Sequence, residues 1–269
     1  MLKKAILSGW ATNWPVVLQE VVSSHPHVPS YSPASVVQSE GEFALYQVGV
    51  KKVWLPQTFS PSILGYIHHE IFEQRIYENG LCRIQPGEWV VDAGANVGFF
   101  SLYALDQGAN VLAFEPVPEI AQALEKTLKD YIAAGRARVF GLGLGSKRGE
   151  AEIFISASNS GASTVVPAFR DRSTDGNYRS KSVVIPIETL DRVISDLGIA
   201  VSFLKADIEG AEQEMLLGAR ETIRHYKPRL SICTYHLPSD FREIPRIIHS
   251  FEAGYRIQFS GLFDHMYGV

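Results

Sequence analysis

The chain has 269 residues, of which 46% are hydrophobic and 20% are charged, as in folded globular proteins and unlike disordered ones. Its 25 Lys and Arg residues and 29 Asp and Glu residues give a net charge of −4, so we expect no nucleic-acid partner. Cys82 and Cys233 lie far apart without a CxxC pair, which predicts reduced thiols and a cytoplasmic protein. No apolar run is long enough to span a bilayer, so we also expect no membrane partner.

The first 83 residues predict an N-terminal arm or cap. β-Branched and aromatic residues at 43–50 and 52–55 flank Gly49, which is typical of a short hairpin. Apolar residues at helical spacing predict a helix over 62–77. Tyr77 in this helix is interpreted as a core residue, with closure over a bound ligand as the alternative. We expect the arm to serve as a cap or as the surface through which a homo-oligomer forms.

Residues 84–269 alternate buried strands with helices, which is the pattern of parallel strands joined by right-handed crossovers. The predicted strands lie at 89–92, 111–114, 137–142, 201–205, 229–235, 255–259 and 265–267. The predicted helices lie at 97–105, 119–134, 211–226 and 241–252. Residues 151–187 interrupt this alternation and predict an inserted hairpin with a Gly- and Ser-rich tip, a common position for a substrate lid. We therefore predict an α/β fold with a doubly wound, seven-stranded, mostly parallel sheet, an N-terminal arm and an inserted β-hairpin.

A glycine-containing turn follows the first strand of this sheet. The strand ends at Asp92, and Gly94 and Gly98 flank the start of the next helix, where ligands of open α/β sheets bind. A nicotinamide-binding loop has the pattern G-x-G-x-x-G, but Asn96 occupies the middle position and would crowd a diphosphate. S-adenosylmethionine (SAM) has no phosphate, and Asp92 is a candidate partner for its ammonium group.

An acidic residue ends the second strand. Glu115 lies 21 positions after Gly94, the usual spacing for a carboxylate that accepts hydrogen bonds from ribose hydroxyls. This carboxylate suits NAD and SAM equally, so it predicts a nucleoside ligand without choosing between them.

Three motifs together carry a resemblance to a known family. They are the residues 90–101 with the sequence VVDAGANVGFFS, the triplet Phe114-Glu115-Pro116, and the residues 203–212 with the sequence FLKADIEGAE. These motifs resemble the FkbM family of SAM-dependent methyltransferases over residues 84–269. The resemblance implies a class I methyltransferase fold, SAM as cofactor, and usually O-methyl products on sugars or natural products.

The resemblance also implies a set of cofactor-binding residues. Asp92, Gly94, Asn96 and Gly98 would hold the methionine part of SAM, Glu115 would hold the ribose, and Gly143 and Leu144 would lie beside the adenine. Ala95, Phe99 and Pro116 complete this cofactor-binding set. The residues after the third strand depart from many class I enzymes, because 143–145 offer no acidic side chain to meet the adenine amine. A serine, a backbone carbonyl or water would have to meet that amine instead.

A second group of polar residues, at the ends of two neighbouring predicted strands, is predicted to catalyse the reaction. Lys205, Asp207 and Glu209 lie two positions apart at the end of a buried strand, which would place all three on one face. His236 ends the next strand, and we predict that it acts as the general base for a hydroxyl acceptor, with Asp207 and Lys205 as further catalytic residues. Asp207, Glu209 and His236 are also candidate ligands of Mg²⁺. The alternative for Lys205 is a structural ion pair with Asp207 or Glu209.

The sequence therefore predicts a SAM-dependent methyltransferase that acts on oxygen in a small-molecule or glycan acceptor. One alternative is an NAD(P)-dependent oxidoreductase on a similar sheet. A non-catalytic SAM-binding regulator is the other.

Overall fold

The computed structural model describes residues 31–80, 82–155 and 181–260. The described residues form the strands β1 (Ser35–Glu40), β2 (Phe43–Val48), β3 (Lys51–Pro56), β4 (Trp89–Ala93), β5 (Asn110–Phe114), β6 (Ala137–Phe140), β7 (Gly143–Leu144), β8 (Gly149–Ile155), β9 (Lys181–Glu188), β10 (Val201–Ala206) and β11 (Arg229–Ile232). They form the helices α1 (Leu64–His68), α2 (Phe99–Asp106), α3 (Pro118–Ala133), α4 (Leu190–Leu197), α5 (Glu212–Leu217), α6 (Arg220–Tyr226) and α7 (Asp240–Phe251). A 3₁₀ turn, Pro61–Ile63, precedes α1, and a π-helical turn, His69–Gln74, follows it. No helix within the described ranges has the length and apolar character needed to cross a membrane.

A five-stranded parallel sheet forms the centre of the fold, in the order β11-β10-β4-β5-β6. Strands β4 and β5 are almost wholly apolar, as expected for parallel strands covered on both faces. Val90 belongs to the core beneath α2 and α3, whereas the next residue, Val91, belongs to the core beneath α4 to α7. Helices on both faces confirm the predicted α/β class and the parallel sheet.

The predicted number of seven strands is not confirmed, since the described residues supply five to this sheet. Residues 255–259 form no strand, so that prediction is wrong. Tyr255 is instead fixed by its hydroxyl, which donates to the carbonyl of Pro228 at 2.7 Å, and by its carbonyl, which lies 2.9 Å from Nε2 of His249. The other predicted terminal strand, at 265–267, lies outside the described residues.

The described part of the predicted arm contains a three-stranded antiparallel sheet in the order β1-β2-β3. The hairpin of β2 and β3 turns at Gly49 with φ +55°, as the sequence predicts. Strand β1 was not predicted, because all six of its residues are exposed and show no apolar alternation. The backbone N–H of Trp54 donates to Oγ1 of Thr127 at 2.9 Å, which fastens β3 to α3. The division into an arm (1–83) and a SAM-binding domain (84–269) stays a prediction, as does oligomerisation through the arm.

The predicted hairpin insertion is confirmed in its strands. Strand β8 pairs antiparallel with β9, and β9 pairs parallel with β7, so the three form a separate sheet beside the carboxyl ends of the central strands. The predicted lid tip falls in residues 156–180, outside the described residues.

The predicted helix over 211–226 is in fact two helices, α5 and α6, which are separated at Gly218 and Ala219. The carboxylate of Asp191 accepts hydrogen bonds from the backbone N–H groups of Glu221 and Thr222 at 2.9 and 2.7 Å. A helix end with its N–H groups satisfied by a side chain is a stable start for a new helix. The cap comes from α4, so within 211–226 only Gly218 indicated the break.

Candidate active site

The turn after β4 is built from three residues with left-handed backbone. Gly94, Asn96 and Gly98 have φ values of +75°, +50° and +101°. A Cβ atom on Gly94 would lie 2.0 Å from the carbonyl oxygen of Asp207, so only glycine fits there. Asn96 tolerates this conformation because its Oδ1 accepts a hydrogen bond from the N–H of Val97 at 2.7 Å.

Glu115 follows β5 and holds the turn after β4 by hydrogen bonding. Its carboxylate accepts hydrogen bonds from the backbone N–H groups of Asn96 and Val117, both at 2.9 Å. The residue is only 6% exposed. Burial raises the pKa of Glu115 to about 7, although the two backbone hydrogen bonds oppose that shift. The carboxylate retains lone pairs toward the cavity described below, which is the arrangement that binds hydroxyl groups.

Asp92 and Lys205 form a buried ion pair beneath this turn. Nζ of Lys205 lies 3.1 Å from Oδ1 of Asp92 and donates to the carbonyls of Ala93 and Gly94 at 3.2 and 2.8 Å. Oδ2 of Asp92 accepts from the hydroxyl of Ser101 at 2.7 Å. Burial alone would lower the pKa of Lys205, but the charges of Asp92 and of the nearby Asp207 carboxylate raise it above its usual value. The lysine is therefore protonated and holds the turn in place.

One expectation needs correction here, and another stays a prediction. Asp92 is fully buried and does not line the cavity, so its contact with the ammonium of SAM stays a prediction. Lys205, Asp207 and Glu209 do not share one strand face, because β10 ends at Ala206 and Glu209 adopts a left-handed φ of +54°.

Asp207 lies at the centre of a polar cluster after β10. Its Oδ2 accepts from the hydroxyl of Tyr77 at 2.6 Å, and its Oδ1 accepts from the hydroxyl of Tyr235 at 3.1 Å. Nε2 of His236 lies 3.5 Å from Oδ1 of Asp207 and 3.6 Å from Oε2 of Glu209. The three residues predicted as cation ligands, Asp207, Glu209 and His236, are thus brought together.

The charges of this cluster determine its protonation. Burial alone would lower the pKa of His236, but the hydrogen bond from Nδ1 to Glu212 at 2.8 Å and the nearby carboxylates raise it to about 9. Burial raises the pKa of Glu209 to about 8, against the opposing charge of His236. Burial would also raise the pKa of Asp207, but Lys205 and His236 hold it below its usual value. His236 is therefore a cation at neutral pH, which differs from the expectation that its pKa suits a general base.

A cavity of about 360 Å³ opens at the carboxyl ends of β4, β5 and β10. This volume is within the range of small-molecule sites. The predicted residues that line the cavity are Gly94, Asn96, Glu115, Pro116, Gly143, Leu144, Asp207 and Glu209. The predicted cofactor residues Ala95, Gly98 and Phe99 lie elsewhere: Ala95 and Phe99 are buried in the core, and Gly98 packs close to Leu124 of α3.

Sequence reasoning missed several residues of the site. Tyr235 was not predicted, although it directly precedes His236 in the segment that follows β11. Glu214 of α5 also lines the cavity and was not predicted, and Ser146, which follows β7, lines it as well. Tyr77 was predicted in the core, and its ring does pack on Phe100 with centroids 5.1 Å apart, but its hydroxyl reaches Asp207.

Fold and site together define an α/β protein of the Rossmann-like class, with a nucleoside-sized cavity at the carboxyl ends of its parallel strands. Residues 92–257, more than half of the chain, match the family model of the methyltransferase FkbM domain. The chain therefore belongs to the FkbM family of methyltransferases, as its motifs indicate.

Individual relatives agree with this family. The chain is 30% identical over 184 residues to the AMB antimetabolite synthetase AmbE of Pseudomonas aeruginosa, a match covering 57% of this chain and 9% of AmbE. It is 29% identical over 180 residues to the 31-O-demethyl-FK506 methyltransferase FkbM of Streptomyces tacrolimicus, covering 58% of this chain and 68% of that protein. The crystal structure of the methyltransferase FkbM from Methylobacillus flagellatus matches with a TM-score of 0.51 and 28% identity. That match covers 70% of this chain and 43% of the solved chain.

Proposed function

We propose that this protein is a SAM-dependent methyltransferase that methylates a hydroxyl oxygen of a small-molecule natural product or a sugar. The observation that carries the proposal is the cavity in which Gly94 and Glu115 meet Asp207 and Glu209. The first pair suits the methionine and ribose parts of SAM, and the second pair suits a polar acceptor. The Streptomyces relative is a 31-O-demethyl-FK506 methyltransferase, and this name supports oxygen as the acceptor atom.

The chain's own residues would position the reactants. Glu115 would accept hydrogen bonds from the ribose hydroxyls, and the turn at Gly94, which lines the cavity, would lie beside the methionine part. When bound, SAM supplies the methyl group. The acceptor oxygen would attack the methyl carbon while the carbon–sulfur bond breaks and its electron pair goes to sulfur, and the hydroxyl proton would pass to a protein group.

Asp207, whose pKa lies below its usual value, is better placed than His236 to receive this proton, and Glu209 becomes an acceptor as the pH rises above its pKa of about 8. Both carboxylates line the cavity, whereas His236 is 6% exposed and lies behind them. We expect Glu209→Gln and Asp207→Asn to reduce turnover much more than the affinity for S-adenosylhomocysteine (SAH). Turnover that survives in both variants would exclude this role.

A divalent cation such as Mg²⁺ is a further part of the proposal. Asp207, Glu209 and His236 could each offer one ligand atom, and these atoms lie within 4.8 Å of one another. A cation held there would take the place of the His236 proton and would lower the pKa of an acceptor hydroxyl. Titration of chelator-treated protein with Mg²⁺ and Mn²⁺, followed by calorimetry, tests this part. Cation binding by the wild-type protein that is lost in His236→Gln supports the cation site. Equal heats of binding in the wild-type protein and in His236→Gln contradict it.

Calorimetry with SAM and SAH tests the proposal as a whole. We expect binding by the wild-type protein and weaker binding by Glu115→Ala, followed by methyl transfer to members of an alcohol and sugar panel detected by mass spectrometry. The family match gives no support to an NAD(P)-dependent oxidoreductase. Binding of NADH in place of SAH by folded protein would favour that enzyme class, and binding of SAH without any methyl transfer would favour a regulator.

A further inference from the structure

The structure contains an acidic side chain where the sequence after the third strand offers none. Strand β7, which provides the predicted adenine neighbours Gly143 and Leu144, lines the cavity and carries no hydrogen-bonding side chain. The exocyclic amine of adenine donates hydrogen bonds, so a site selective for adenine needs an acceptor near this strand. Glu214 of α5 and Ser146, two positions after β7, line the same cavity.

Ser146 and Glu214 are joined to each other. The hydroxyl of Ser146 donates to Oε2 of Glu214, which leaves the other carboxylate oxygen available as an acceptor. An ionised carboxylate is a stronger acceptor than a neutral group, and its hydrogen bonds contribute more to affinity. This pair is thus a ready acceptor at the β7 side of the cavity.

Close backbone packing holds the two elements in this position. A Cβ atom on Gly218, which follows α5, would lie 2.0 Å from the carbonyl oxygen of Gly145. The residues after β7 and the end of α5 therefore approach each other without an intervening side chain. Glu214 is carried on this helix, so its position relative to β7 is set by backbone contacts and not by a mobile loop.

The other carboxylates of the cavity have different partners. Glu115 accepts two backbone hydrogen bonds at the end of β5, and Asp207 is held by two tyrosine hydroxyls. Glu209 faces His236. Glu150, on β8, also lines the cavity and is the competing acceptor.

We infer that Glu214, supported by Ser146, accepts the exocyclic amine of the cofactor's adenine and selects adenosine over inosine. This inference rests on the proposed function, because it requires SAM or SAH in the cavity. Glu214 acts here as a specificity-determining residue and takes no part in methyl transfer.

The test compares binding of SAH with binding of S-inosylhomocysteine, in which a carbonyl oxygen replaces the amine. A carboxylate repels that oxygen, so we expect the wild-type protein to prefer SAH by on the order of ten- to hundredfold. Glu214→Ala should bring the ratio of the two dissociation constants close to one. Glu214→Gln offers both an acceptor and a donor, so it should also bind the two ligands about equally while keeping the size of the side chain.

Matched variants separate the possible outcomes. Glu125 is an exposed glutamate of α3 outside the cavity, and Glu125→Ala should keep the wild-type ratio. A wild-type ratio retained in both Glu214 variants overturns the inference, as does a ratio that collapses in Glu150→Ala instead. Failure of wild-type protein to bind either ligand contradicts the proposed function itself, which is a separate result.

Discussion

Lys205 and Asp92 form an ion pair, 3.1 Å apart, in which the side chains are only 4% and 0% exposed. The lysine also donates to the carbonyls of Ala93 and Gly94, so one buried cation joins β10 to the turn that borders the cavity. The aromatic rings of Tyr77 and Phe100 lie 5.2 and 5.7 Å from the same ammonium group and shield it from water. The shape of the turn therefore depends on a residue that does not line the cavity.

Removal of one partner of this pair should destabilise the fold strongly. Asp92→Asn removes the carboxylate that contacts the buried lysine, and we expect a loss of about 3–5 kcal/mol in the free energy of unfolding. Lys205→Met combined with Asp92→Asn should cost less than the sum of the two single variants, because no uncompensated charge remains. Urea unfolding followed by circular dichroism measures these values.

Asp196→Asn, which breaks the exposed Arg192–Asp196 pair, is the control and should change stability little. Equal effects of Asp92→Asn and Asp196→Asn would contradict the role given to the buried pair.

The close approach at Gly94 gives a second prediction. Gly94→Ala adds a Cβ atom 2.0 Å from a backbone oxygen, so the turn must move, and both stability and SAH affinity should fall. Gly135 has a similar φ of +70° with no atom within 4 Å of an added Cβ. Gly135→Ala therefore carries only the left-handed strain of roughly 1 kcal/mol and should bind SAH normally. Thermal unfolding and calorimetry on both variants check the difference. Normal SAH affinity in Gly94→Ala would show that the turn is not part of the binding site.

Glu115 should make SAH binding depend on pH. Its pKa is raised to about 7, so acidification converts an acceptor of ribose hydroxyls into a carboxylic acid before an ordinary glutamate would titrate. If only the ionised form binds well, affinity should fall about tenfold between about pH 8 and about pH 6. Calorimetry across this range measures the effect. Glu115→Gln cannot titrate, so its weaker affinity should stay flat with pH. An equal pH dependence in that variant would assign the titration to another group.

The hydroxyls of Tyr77 and Tyr235 should matter for turnover more than for cofactor affinity. Both donate to Asp207, and Tyr77→Phe or Tyr235→Phe would remove one donor while the ring stays. We expect each variant to bind SAH nearly as the wild type does and to turn over more slowly once an acceptor is known. Tyr66→Phe is a control, because Tyr66 contacts Glu70 outside the cavity. A loss of SAH affinity equal to the loss of turnover would place these tyrosines in the cofactor site instead.

Local sequence patterns predicted the framework of this site well. The ends of β4 and β5 at Ala93 and Phe114, the glycine turn and Glu115 all lie within one residue of where the alternation of apolar strands and turn residues places them. Such patterns are reliable because a buried parallel strand needs apolar residues on both faces and a tight turn needs glycine. The same reasoning failed at 255–259, where apolar residues without a sheet partner form no strand.

The α/β class, the position of the cavity at the carboxyl ends of the strands and the family could all be predicted from the amino-acid sequence, because these depend on the order of short segments along the chain. Which side chains meet depends on how the strands and helices pack. Lys205 contacts Asp92, which is 113 positions away in the sequence, and Tyr77 contacts Asp207, which is 130 positions away. The periodicity of residues within one segment cannot predict such contacts, because they depend on the packing of distant strands and helices.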